Sequence, residues 1–68
     1  MTLFVNGKQT ENNAAISIFD IVCQLSSTPP PQGIAVAVNL EVIPRSQWKS
    51  HPLNNGDEIE ILWASSGG

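Results

Sequence analysis

Apolar and polar residues alternate at the start of the chain, where Leu3 and Val5 interleave with Thr2, Phe4 and Asn6. That period of two predicts a strand. Asn6-Gly7 follows, a pair whose residues both tolerate positive φ, and it predicts a hairpin with Lys8 to Glu11 returning as the second strand. Asn12-Asn13 then breaks the pattern. From Ser17 the period changes to that of a helix. Ser17-Ile18-Phe19-Asp20 has capping-box spacing with Asp in the usual Glu place. Ile16 and Ile21 stand at the positions of a hydrophobic staple, and Ile18, Ile21, Val22 and Leu25 form one apolar stripe, with Phe19 and Cys23 beside it.

The helix has to end before Ser26-Ser27-Thr28-Pro29-Pro30-Pro31-Gln32-Gly33, because consecutive prolines cannot continue it. Ile34, Val36 and Val38 alternate with Ala35, Ala37 and Asn39, a third strand. A turn at Asn39-Leu40-Glu41 leads to a short return strand at Val42-Ile43. Pro44 keeps Ile43 extended and can open a single helical turn, Arg45-Ser46-Gln47-Trp48. Asn55-Gly56-Asp57 is another turn. Glu58 to Trp63 is the last strand, with Ile59, Ile61 and Trp63 on one face. The order strand, strand, helix, strand, strand, strand predicts an α+β fold with one helix crossing a mixed sheet. Residues 1–63 are expected to form that domain. Residues 64–68, Ala64-Ser65-Ser66-Gly67-Gly68, have no apolar anchor and are expected to be a flexible tail.

Composition narrows the function. With 68 residues and 41% hydrophobic, the chain can hold one modest core. Its net charge is −3, and Lys8, Arg45 and Lys49 form no stripe, which argues against nucleic acid as a partner and for a basic groove on a protein. Cys23 is the single cysteine, so no internal disulfide forms. The start carries no signal-peptide pattern and no stretch has membrane-spanning length, so a cytoplasmic location with no membrane partner is expected. One Cys and one His do not make a metal site. Cys23 is expected as a small core hydrophobe and His51 as a solvated loop residue, rather than a nucleophile and its base.

The remaining chemistry is in the tail. Glycines at 67 and 68 let a chain enter a narrow channel and let a foreign backbone approach closely. A terminal carboxylate is a poor electrophile, but as a mixed anhydride with AMP it becomes an acyl donor that a sulfur nucleophile can attack.

Ala37-Val38-Asn39 followed by Val42-Ile43-Pro44-Arg45-Ser46-Gln47-Trp48 resembles the middle signature of the thiamine-biosynthesis sulfur carriers, the ThiS family. Asn55-Gly56-Asp57-Glu58-Ile59-Glu60-Ile61 and the final Gly67-Gly68 are similar to the same family, and the resemblance covers nearly the whole chain. It implies a ubiquitin-like β-grasp fold and a protein that is a cosubstrate rather than an enzyme, binding no cofactor itself. An E1-like adenylyltransferase would use ATP and Mg to adenylate Gly68. Sulfur from a donor such as a cysteine desulfurase or sulfurtransferase would convert it to a thiocarboxylate, and thiazole synthase would take that sulfur. Gly67 would serve tail access.

Two other readings stay open. One is a carrier like the molybdopterin synthase small subunit, toward which Ser65-Ser66 leans; the other is a β-grasp binding module with an inert tail. If the first and last strands are neighbours, as in a β-grasp, Phe4 and Leu62 lie together on the open face, a candidate docking patch for the adenylating enzyme. Trp48 is expected as a lid on the core, and Arg45 as a solvated turn residue.

Overall fold

Two pairs of residues with positive φ set the hairpins. Asn6 (φ 51°) and Gly7 (φ 81°) join β1 (Thr2–Val5) to β2 (Lys8–Glu11), and Asn39 (φ 49°) and Leu40 (φ 71°) join β3 (Ile34–Val38) to β4 (Glu41–Ile43). Such turns match the right-handed twist of the strands they join. The computed structural model describes residues 1–11 and 16–63. The expected break at Asn12-Asn13 and the tail with Gly67 and Gly68 lie outside the described residues.

Helix α1 (Ile18–Leu25) starts as its sequence requires. The Asp20 amide donates to Ser17 Oγ at 3.2 Å and the Ser17 amide to Asp20 Oδ2 at 3.1 Å, so the capping box is complete. A 3-10 turn (Arg45–Gln47) follows β4, and β5 (Glu58–Trp63) closes the fold. The sheet order is β2-β1-β5-β3-β4. β1 and β5 are parallel, and the other neighbours are antiparallel. The last strand therefore fills the centre between the two hairpins, the β-grasp arrangement expected above.

One face of this sheet holds the core. Leu3, Val36, Val38, Ile43, Ile59 and Ile61 meet Ile18, Ile21 and Val22 of α1, and Trp48 seals the side. Trp48 is 1% exposed and its Nε1 donates to the Ile43 carbonyl at 3.0 Å, the core lid that was expected.

Three expectations need correction. Leu25 is 52% exposed rather than buried with the stripe, because it is the last helical residue and borders an open groove beside Val5 and Thr10. Trp63 has core-side parity yet is 54% exposed, since it pairs with half-buried Ile34 where β3 begins. Arg45 is not simply solvated. It donates from Nη1 to the Pro31 carbonyl (2.9 Å) and from Nη2 to the Pro30 carbonyl (2.5 Å), and its guanidinium lies 5.2 Å from the Trp48 ring centre.

Candidate functional site: the open sheet face and the root of the tail

α1 covers one face of the sheet, and strand parity decides what the other presents. Cross-strand register places Gln9, Phe4 and Glu58 in one row across β2, β1 and β5. Val42, Ala37 and Glu60 form a second row across β4, β3 and β5, and Ala35 pairs with Leu62 beyond it. Val42 is 71% and Leu62 60% exposed, while Phe4 is half-buried.

Phe4 and Leu62 do share the open face, as parity required, but they are not side by side. Phe4 stands opposite Glu58. At roughly 3.3 Å per residue, Leu62 is about 13 Å further along β5. Parity is readable from a sequence, whereas the offset of a parallel pair is a tertiary property.

Leu62's apolar neighbours are instead Ala35 and Ala37, with Val42 beyond them. Val42 is the residue that sequence reasoning missed. The signal was present: Ile43 is buried, so its neighbour in a strand has to point outward. The open face thus carries an apolar strip, Val42-Ala37-Ala35-Leu62, on the half of β5 that leads to the tail. Exposed Glu58 and Glu60 stand between that strip and Phe4.

Side-chain hydrogen bonds hold the start and the middle of β5. At its start, buried Asp57 accepts from Asn39 Nδ2 (3.0 Å) and the Asn54 amide (2.7 Å), while Asn39 Oδ1 accepts from the Glu58 amide (3.0 Å). Further along, the Ile61 amide donates to Asn6 Oδ1 at 2.8 Å, so a side chain continues the β1 ladder where β1 has ended. β5 is thereby tied to its neighbours by side chains from Asp57 to Ile61, and Trp63 is the last described residue before 64–68.

Among the described residues, the side chains of the other candidates, Cys23 and His51, gain no hydrogen-bond partner from the fold. Cys23 is half-buried on α1. His51 is half-buried rather than solvated, and it lines a shallow opening with Ser17, Asp20 and Lys49 that Cys23 does not reach. Among the described residues no group of three or more His, Cys, Asp or Glu side chains could hold a metal ion. No helix among them is long and apolar enough to cross a membrane.

Comparison with known proteins agrees with this geometry. The chain is 28% identical over 68 residues to the sulfur carrier protein ThiS of Escherichia coli, covering all of both chains. It is 29% identical over 68 residues to a thiazole synthase from Paramagnetospirillum magneticum, where it spans 20% of that protein. The crystal structure of the thiamine biosynthesis protein ThiS from Geobacter metallireducens superposes with a TM-score of 0.78 at 27% identity, covering 100% of both chains. The ThiS family model matches residues 3–68, through the diglycine, and the chain belongs to the ThiS family.

Proposed function

We propose that this chain carries sulfur for the thiazole ring of thiamine as a thiocarboxylate on Gly68. The observation that carries the reading is the family match, which runs through Gly67 and Gly68 rather than stopping at the folded body. The Escherichia coli relative is itself a sulfur carrier. The thiazole synthase relative holds a segment like this chain, which supports thiazole synthase as the acceptor.

The chemistry asks little of the body. An E1-like adenylyltransferase binds ATP and Mg, and the Gly68 carboxylate oxygen attacks the α-phosphorus, releasing pyrophosphate. The outer sulfur of a cysteine persulfide on a desulfurase or sulfurtransferase then attacks the acyl carbon and AMP leaves. A second thiol cleaves the resulting acyl disulfide, forming a disulfide with the donor cysteine and freeing the Gly68 thiocarboxylate. Gly67 keeps the chain narrow enough to thread the active site. The body is the handle. The apolar strip ending at Leu62 lies on the strand that continues into the tail, and Glu58 and Glu60 suit a basic surface. Phe4 adds apolar area from across that acidic row. A partner gripping this face holds the tail at a fixed distance from its own catalytic groups, which is the proximity advantage of a bound substrate.

The test is transfer. The chain loaded with isotopically labelled sulfur is mixed with thiazole synthase and its other substrates, and in parallel with a molybdopterin synthase large subunit. Label in the thiazole product supports the reading. Label passing only to molybdopterin would assign the other acceptor, and label retained on Gly68 in both would leave the carrier without a role in either.

A further inference from the structure

The loop between α1 and β3 satisfies itself only in part. Pro29, Pro30 and Pro31 contribute carbonyls but no amide donors. The Pro29 carbonyl accepts from Ser27 Oγ within the loop at 3.0 Å, whereas the Pro30 and Pro31 carbonyls take their donor from outside it. Arg45 supplies it across a sequence separation of 14 and 15 residues, with one guanidinium nitrogen on each of the Pro31 and Pro30 carbonyls. Its own position is fixed. The guanidinium lies 5.2 Å from the ring of Trp48, the Trp48 amide donates to the Arg45 carbonyl at 3.1 Å, and the Trp48 carbonyl accepts from the Phe19 amide at 3.2 Å. The fork therefore ties the proline loop to a turn already anchored in the core and at the start of α1.

The clamped residues lead directly into β3. Beyond Pro31 come Gln32 and Gly33 (φ 87°), then Ile34, whose cross-strand partner is Trp63. Terminal pairs of a ladder open most easily. Ile34–Trp63 is the terminal pair here, and on its β5 side the chain continues into residues 64–68. We propose that Arg45 is a positioning residue for the tail: by clamping Pro30 and Pro31 it holds the start of β3 and so keeps Trp63 in register. This rests on the carrier reading only for its consequence in sulfur loading.

The test uses the full chain with Arg45→Ala and Arg45→Lys, the second keeping the charge without the planar fork. Amide exchange is read residue by residue by NMR. Exchange at Ala35 and Leu62, the outermost hydrogen-bonded pair of the β3–β5 ladder, rises about tenfold or more in both variants, while Leu3 and Ile59 keep their protection. Adenylation by an E1-like enzyme then shows kcat lowered by roughly tenfold at unchanged KM, since the open face that binds is intact while the tail is misplaced. Uniform loss of protection would show a merely structural Arg45. Faster exchange confined to residues 26–33, with Ala35 and Leu62 unmoved, would overturn the proposal. Should Arg45→Ala fail to fold, Arg45→Lys decides the same question. Should the wild-type chain never be adenylated, the carrier reading falls, and the exchange data still decide the role of Arg45.

Discussion

Replacing Trp48 probes how much of this small fold depends on one side chain. It is 1% exposed, and its indole Nε1 donates to the Ile43 carbonyl at 3.0 Å. Truncating a buried Trp to Ala costs about 3–5 kcal/mol. Domains hold roughly 0.05–0.15 kcal/mol per residue, so 68 residues correspond to about 3–10 kcal/mol in all. Trp48→Ala is therefore expected to leave little or no folded protein at room temperature. Trp48→Phe is the more informative change. It keeps an aromatic ring but leaves the Ile43 carbonyl without its donor, a loss of about 1–3 kcal/mol for a buried acceptor. The smaller ring adds to this, and a total of about 2–3 kcal/mol is expected. At about 4–8 °C per kcal/mol for a domain this size, Tm falls by roughly 10–20 °C. The control is Trp63→Phe, which alters a residue 54% exposed and is expected to change stability by less than about 0.5 kcal/mol. Thermal and urea unfolding followed by circular dichroism give both numbers. Equal midpoints for the two variants would refute the core-lid assignment.

Leu40 sits at φ 71° and is 89% exposed, so it bears backbone strain without burial in return. Leu40→Gly is expected to raise the denaturant midpoint by about 1 kcal/mol of stability, and a lower midpoint would contradict the strain argument. Leu62→Ala is expected to weaken binding to the E1-like partner by about tenfold in calorimetry with Tm unchanged, since burying such a side chain is worth about 1.5–3 kcal/mol. Phe4→Ala, at a half-buried site, lowers both affinity and Tm; unchanged affinity in both variants would remove the open face from the docking surface. Gly67→Val adds a β-branched side chain that widens the tail, so pull-down by the E1-like enzyme persists while AMP formation collapses; normal adenylation would show that the diglycine is no steric requirement.

Much of the architecture was legible because it is written locally. Asn6-Gly7 specifies its turn by two residues that accept positive φ, and Ser17 with Asp20 specifies the helix start by side chains that reach adjacent amides. Parity along β1 and β5 separated Leu3, Ile59 and Ile61 from Phe4 and Leu62 correctly, since alternation needs only the backbone. The failures share one cause, in that each depends on where distant segments meet. Arg45 reads as a solvated turn residue until Pro30 and Pro31 are brought beside it. The pairing of Phe4 with Glu58, which separates Phe4 from Leu62, is a register choice made by the whole sheet. Asn39 looks like an ordinary turn residue, and only the approach of β5 gives its side chain Asp57 and the Glu58 amide. Val42 differs, because the parity rule would have found it had it been applied to the short strand beside Ile43.

The central claim is that sulfur travels on the last residue. Intact mass spectrometry of the full chain, after incubation with an E1-like adenylyltransferase, MgATP and a sulfur source, tests it most directly. The account predicts one oxygen replaced by sulfur, with fragmentation placing the change on Gly68. Sulfur found as a persulfide on Cys23, with Gly68 unmodified, would contradict it.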